Sequence, residues 1–296
     1  MISLTEFSQV IYTKTYLGKI IPLIPHETKN QHQLAISVIK FIFMKELAYK
    51  IINALTLGKG LNAHVSGFRV KLPTRYFRYF PIRYEMNVLN FFNNYVKEGM
   101  VVIDAGAHIG LHSAILAQKT GPTGKVIAFE PTPDTFELLK KTIAINGIQG
   151  TVIPMQQALA AEKGKATFYV STVPATNSNS LSDNKRANVN EKAIEVDITT
   201  IDDLVSEQSL SRVDLIKIDV EGAEYSLLKG ATATLTKFHP RISLDVHPIP
   251  IKNFGDSLGE IWDFVIKHDY KVYYHHHLMT REEFIKREDL FDVFLM

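Results

Sequence analysis

From residue 99 onward the chain alternates short apolar runs with stretches of helical periodicity, the pattern of βαβ units around a parallel sheet. The runs Met100–Ile103, Lys125–Phe129, Thr151–Pro154, Val213–Ile218 and Arg241–Val246 predict its strands. The apolar end, Leu290–Met296, predicts a last strand, antiparallel in this fold class. Lys165–Val170 and Ile194–Ile198 alternate apolar and polar positions, as two antiparallel strands do. They bracket a 23-residue stretch, Ser171–Ala193, rich in Ser, Asn, Thr and Ala, whose length suits a substrate-gating loop.

The first 98 residues read differently. Pro22 and Pro25 punctuate helical segments, and Leu34–Leu57 is an amphipathic stretch interrupted by Lys40, Lys45, Glu46 and Lys50. Those charges leave no uncharged run long enough to span a bilayer, so a packed helix is expected, with peripheral membrane contact as the alternative. His64, Val65, Phe68, Val70 and Leu72 alternate around Ser66-Gly67 and predict a hairpin over Asn62–Pro73. Tyr84–Lys97 then reads as a helix stopped by Gly99. The chain is therefore expected to divide into a helical extension, 1–98, covering a main domain, 99–296.

Composition narrows the function. The 296 residues are 46% hydrophobic and 22% charged, enough apolar content for a sizeable core, which excludes a disordered chain. Lys plus Arg number 33 against 31 acids, a net charge of +2, so no global field favours nucleic acid. The absence of cysteine excludes disulfide scaffolds, thiolate metal sites and cysteine nucleophiles. The start MISLTEFSQVIYTK lacks a basic n-region and a small-residue cleavage site, and a cytoplasmic location is expected.

Chemistry enters at the end of the first main-domain strand, where Asp104-Ala105-Gly106-Ala107-His108-Ile109-Gly110 precedes a helix. Strand, glycine-bearing turn and helix form the place where an open α/β sheet binds its ligand. A dinucleotide would want G-x-G-x-x-G, whereas Gly106 and Gly110 stand four apart and an acid closes the strand. Asp104 would repel a pyrophosphate and attract a ligand carrying an ammonium and a sulfonium, as S-adenosylmethionine does. The next strand delivers Glu130 and Pro131, placing an acid where it can accept hydrogen bonds from both ribose hydroxyls.

VVIDAGAHIGLHSAILA, VIAFEPTPDTFELLKKTIAIN and VDLIKIDVEGAEYSLLKGA resemble the FkbM-type family of S-adenosylmethionine-dependent methyltransferases, over roughly Glu85–His247. The resemblance implies a Rossmann-like methyltransferase fold, a mostly parallel seven-stranded sheet with helices on both faces, and O-methylation as the commonest chemistry. It assigns Asp104, Gly106, His108 and Gly110 to the methionine end of the cofactor and Glu130 to the ribose. His108 stands where the family usually has Asn; imidazole can replace one amide hydrogen bond. Asn146, whose counterpart is also Asn in similar proteins, is expected near the cofactor, with a helix cap as its plain alternative. The Gln156-Gln157-Ala158 stretch falls where such methyltransferases meet adenine, and the Asn177–Leu181 cluster resembles a segment common in the family's loop.

The acceptor half rests on two strand ends. Asp219, Glu221 and Glu224 follow the Val213–Ile218 run. Glu224 is read as a helix-dipole acid, Asp219 and Glu221 as groups for acceptor binding or acid/base work. His247 ends the Arg241–Val246 run and is the general-base candidate, with Asp245 as an orienting neighbour if the backbone allows. Asp219, Glu221 and His247 would also suit a divalent metal, though ligands are not assigned. His275-His276-His277 alternates faces and is not read as a metal cluster. The expected acceptor is a hydroxyl on a small molecule, sugar or glycan. The alternatives are a non-catalytic cofactor- or partner-binding protein on this scaffold, and an RNA methyltransferase using the basic, aromatic Arg69–Arg83 stretch. Oligomeric state is not legible.

Overall fold

The computed structural model describes residues 44–171 and 191–296. The expected helices before residue 44 and nearly all of the Ser171–Ala193 loop lie outside the described residues. The chain opens with helix α1 (44–55), then the hairpin β1 (Leu61–Val65) and β2 (Phe68–Leu72), and helix α2 (Met86–Tyr95). The main unit follows as β3 (Val101–Ala105), α3 (Leu111–Thr120), β4 (Lys125–Phe129), α4 (Pro133–Asn146) and β5 (Val152–Met155). Short β6 (Ala158–Leu159), long β7 (Gly164–Ser171) and β8 (Glu191–Thr199) lead to α5 (Ile201–Glu207). Then come β9 (Leu215–Ile218), α6 (Glu224–Lys229), α7 (Thr232–Phe238), β10 (Arg241–Val246) and α8 (Pro248–Asn253). The chain closes with α9 (Leu258–Lys267), β11 (Val272–Tyr274), β12 (His277–Leu278), α10 (Arg281–Ile285) and β13 (Phe291–Leu295).

The main sheet runs β12-β11-β13-β10-β9-β3-β4-β5. Seven of these strands make the expected sheet, and the two-residue β12 adds an eighth at the edge through its antiparallel pairing with β11. Strands β5, β4, β3, β9 and β10 are parallel neighbours, and β13 enters antiparallel against β10. Because side chains alternate along a strand, each central strand feeds two apolar layers. Ile103, Ile127, Ile216 and Ile218 pack on one face. Val102, Val126, Ala128 and Leu215 pack on the other. Both faces are covered, as a parallel sheet requires.

The second layer also takes in Val65, Val70, Leu72 and Phe92, so the hairpin and α2 share one core with the sheet across the expected boundary at residue 98. Helix α1 is tied to the chain that follows the hairpin by the Arg75–Glu46 ion pair at 3.1 Å and by the Thr74 hydroxyl donating to Asn53 Oδ1. Its residues Met44, Leu47, Ile51 and Leu55, one face at helical spacing, are exposed. Among the described residues no helix is long and apolar enough to cross a membrane.

The strand order reverses between β3 and β9. At such a switch point the loops leaving two neighbouring strands turn to opposite faces and open a crevice at their carboxyl ends. Asp104 and Ala105 end β3, and Asp219 follows β9, so the fold itself brings the two acidic motifs together.

Candidate active site

The crevice is a cleft lined by Gly106, His108, Glu130, Pro131, Gln157, Ala158, Asp219 and Glu221, with Phe129 and Phe168 as apolar walls. Phe168 comes from β7, so the small second sheet forms part of the wall. Tyr79 lies with its ring 6.5 Å from that of His108, which brings the arginine-bearing segment after the hairpin beside the cleft.

Gly106 is dictated by space and by backbone. Its φ is +76°, and a Cβ there would stand 1.8 Å from the carbonyl oxygen of Asp219. The turn it opens is anchored by the amides of Gly106 and Ala107, both donating to the carbonyl of Phe129. His108 and Glu221 also hold positive φ, 51° and 52°, at the edge of the cleft. Left-handed backbone in a non-glycine residue is uncommon and concentrates at sites of function. It also explains why Asn, which tolerates this conformation, is the usual residue at position 108 in the family the sequence resembles.

Glu130 is buried, with one carboxylate oxygen accepting from the His108 amide at 3.1 Å and the other from the Thr132 amide at 2.9 Å. Burial pushes its pKa up to about 7, against the lowering effect of those N–H groups and of Lys217. The Thr132 hydroxyl also hydrogen-bonds this carboxylate, and the lone pair that remains can still accept from a ribose. Burial holds the His108 imidazole down at about 4, despite the charge of Asp219, so it is neutral at physiological pH.

Asp104, Gly110 and Asn146 are not part of the lining. Asp104 is fully buried beneath it, accepting at Oδ2 from the Ser113 hydroxyl at 2.5 Å, with Oδ1 3.6 Å from the Lys217 ammonium. Gly110 makes room for helix packing, since a Cβ there would meet Leu139 Cδ1 at 2.7 Å. Asn146, expected near the cofactor, is occupied elsewhere. Its amide accepts from Lys71 N and donates to Lys71 O and Thr142 O, which pins the hairpin onto α4. The apolar strands of the hairpin need that surface, and the sequence around Asn146 carries no sign of it.

At the acceptor end the decisive residues are Lys217, which the sequence reading did not single out, and Glu224, which it took for a helix-dipole acid. Lys217 is buried on β9 and donates to the Gly106 carbonyl at 3.0 Å and to Asp219 Oδ2 at 3.3 Å. Burial disfavours its charge, but Asp219 and Asp104 together raise its pKa. Asp219 is half-buried, and Lys217 and His247 lower its pKa against the effect of that burial. His247 is buried at the end of β10, its Nδ1 2.7 Å from Glu224 Oε1, which also accepts from the Gly222 amide. Its Nε2 points to Asp219 Oδ1 at 3.7 Å and Glu221 Oε1 at 3.9 Å. Burial alone would lower the imidazole, yet the hydrogen bond and charge of Glu224, with Asp219 and Glu221, push it up to about 9. At neutral pH His247 is thus cationic, a donor before it is a base.

Asp245 takes no part in orienting His247. It faces Asp292 across the register with β13, and burial together with the charge of Asp219 raises it well above the usual carboxylate range. Glu85, from the segment before α2, sends a buried carboxylate to 3.1 Å from His112 Nε2. Of the three consecutive histidines, His277 pairs with Glu283 on the surface.

Residues 104–272, more than half of the chain, match the methyltransferase FkbM domain. The chain is 31% identical over 177 residues to the hexuronic acid methyltransferase AglP of Haloferax volcanii, covering 58% of this chain and 69% of that one. It is 30% identical over 155 residues to methyltransferase sdnD of Sordaria araneosa, covering 44% of this chain and 59% of that one. Among solved structures, methyltransferase FkbM of Methylobacillus flagellatus aligns with a TM-score of 0.44 and 16% identity, over 70% of this chain and 50% of that one. The residues fit the cofactor this family uses: a glycine that a side chain would block and a buried acid at the second strand end. The chain belongs to the FkbM family and is an S-adenosylmethionine-dependent methyltransferase.

Proposed function

We propose that the protein methylates a hydroxyl oxygen of a sugar, with uronic acids as the first class to examine. The observation that carries this reading is the shared cleft: Glu130 and the Asp219–Glu221 pair, backed by His247, open on the same crevice. The bound cofactor supplies a methyl group on a sulfonium, a carbon already activated toward an oxygen nucleophile. The chain's own residues must then align the acceptor and dispose of one proton. Glu130 and the Gly106 turn hold the ribose and methionine ends, and Gln157 with Ala158 borders the base. Asp219, kept ionised by Lys217 and His247, accepts the acceptor's hydroxyl hydrogen bond. Glu221, beside it on the cleft wall, takes up the hydroxyl proton for release to solvent. Adjacent carboxylates suit the neighbouring hydroxyls of a sugar, which donate in pairs.

The acidic sugar is supported by the segment that Tyr79 brings beside His108, which carries Arg78 and Arg83. It is supported further by the hexuronic acid named for the Haloferax relative. The test is incubation with cofactor and a panel of uronic acids, their glycosides and the matching neutral sugars. Appearance of S-adenosylhomocysteine together with a product heavier by one methylene is expected for the acidic members. Turnover of neutral sugars alone would overturn the acidic assignment, and product on no sugar would overturn the acceptor class.

A further inference from the structure

Asp219, Glu221 and His247 present one ligand atom each, all within 4.8 Å of one another, and among the described residues they are the group of acids and histidines that converge in this way. His247 is more than nine-tenths buried, and its ring is locked: the 2.7 Å contact of Nδ1 with the buried Glu224 leaves Nε2 turned toward Asp219 and Glu221. That nitrogen stands 3.7 Å from Asp219 Oδ1 and 3.9 Å from Glu221 Oε1, whereas a charge-assisted N–H···O contact closes to about 2.7–2.9 Å. The spacing is long for a hydrogen bond and suits ligands that share an ion, which would displace the Nε2 proton. Ligands that share a cation at about 2.1–2.3 Å stand roughly 3–4.5 Å apart.

Second-sphere order points the same way. A histidine ligand characteristically gives its other ring N–H to a carboxylate, which fixes tautomer and orientation, and Glu224 occupies that position. Lys217 holds the far oxygen of Asp219 at 3.3 Å and so leaves Oδ1 turned toward Nε2. The strained φ of +52° at Glu221 aims its carboxylate back into the group.

We infer that Asp219 Oδ1, Glu221 Oε1 and His247 Nε2 bind a divalent cation of the magnesium and manganese class at the acceptor end of the cleft. Two carboxylate oxygens with one imidazole suit such an ion, and three protein ligands leave coordination positions open toward the cleft. Neighbouring hydroxyls of the acceptor would fill them, so that the ion positions the oxygen to be methylated and makes its proton more acidic. Glu224 is a positioning residue that touches no ion.

The inference deepens the acceptor reading given above, and its test is made without acceptor. The full chain, stripped with a chelator, is titrated with Mn²⁺ and followed by electron paramagnetic resonance and calorimetry. One saturable site is expected, with nitrogen hyperfine coupling that disappears in His247→Gln. Glu221→Gln weakens binding at least about tenfold, and Glu224→Gln weakens it about ten- to a hundredfold while the nitrogen coupling persists at saturation. Glu137→Gln, on the exposed face of α4, leaves it unchanged. Thermal unfolding of each variant shows whether it is folded. Absence of saturable Mn²⁺ uptake by the wild-type chain at millimolar ion, or uptake indifferent to Glu221→Gln and without nitrogen coupling, overturns the site. Either result leaves the sugar assay standing, and failure of the sugar assay leaves Mn²⁺ binding standing.

Discussion

Lowering the pH from about 8 to 6 weakens binding of the cofactor's nucleoside part about tenfold, and the group responsible is Glu130. Its pKa of about 7 in the empty protein follows from complete burial, which outweighs the His108 and Thr132 amides and the more distant Lys217. Ribose hydroxyls donate to the carboxylate, so binding favours the ionised form and drains away as the pH falls through 7. If only the ionised form binds, the apparent dissociation constant scales as one plus the ratio of protonated to ionised enzyme, which is about 1.1 at pH 8 and about 11 at pH 6. The other titratable groups of the cleft leave this window clear: His108 stays neutral with its pKa near 4, and His247 stays cationic with its pKa near 9. The assay is calorimetric titration with 5′-methylthioadenosine, which keeps the ribose and lacks the amino-acid end, so the ligand's own amine does not intrude. Glu130→Gln removes both the charge and the titration. Its affinity at pH 8 falls about ten- to a hundredfold, the value of hydrogen bonds to a charged acceptor, and then stays flat with pH. A wild-type affinity constant between pH 6 and 8, or a Glu130→Gln protein with an unaltered slope, would refute both the burial argument and the ribose assignment.

Lys217→Met leaves the buried Asp104 without its cation and Asp219 with His247 alone, and chemical denaturation is expected to show a loss of about 3–5 kcal/mol, typical of breaking a buried ion pair from one side. Asn146→Ala removes two hydrogen bonds that hold the hairpin on α4 and one within α4, costing about 1–2 kcal/mol in the same assay while cofactor affinity stays unchanged. A drop in affinity comparable with that of Glu130→Gln would return Asn146 to the cofactor site. Gly106→Ala forces a methyl group against the Asp219 carbonyl, so cofactor binding by calorimetry is expected to be lost even where circular dichroism shows a folded chain.

The fold was legible wherever a strand is buried on both faces and bounded by turn residues. Lys125–Phe129 and Arg241–Val246 were read to the residue for this reason, and the parallel order followed from the intervening helices. The hairpin was legible because its alternation surrounds Ser66-Gly67, which supplies positive φ at both corner positions. What periodicity could not convey was ownership. The hairpin and α2 read as a separate cap, yet Val65, Leu72 and Phe92 share a core with Val102 and Val126. Local pattern says that a face is apolar; it carries no record of which surface covers it.

The site divides along a similar line. Residues set by backbone demands, such as Gly106 and the turn at His108, announce themselves by type and spacing. Residues that tune other residues do not. Glu224 stands in the first turn of α6, where an acid is ordinary, and only the return of β10 alongside β9 brings His247 to it. Lys217 did leave a trace. It interrupts Leu215-Ile216-Lys217-Ile218, a run otherwise suited to the centre of a parallel sheet, and a lysine there must either reach solvent or find acids. Flanked by Asp104 one strand away and by Asp219 two residues on, it found both. A charge in the middle of a two-sided strand therefore implies partners at the adjacent strand ends, and in an α/β sheet those ends are where the ligand binds. The lysine could have located the cleft from sequence as firmly as the glycines did. It joins the cofactor's acid to the acceptor's acid through one buried ammonium, which makes the two halves of the cleft electrostatically interdependent.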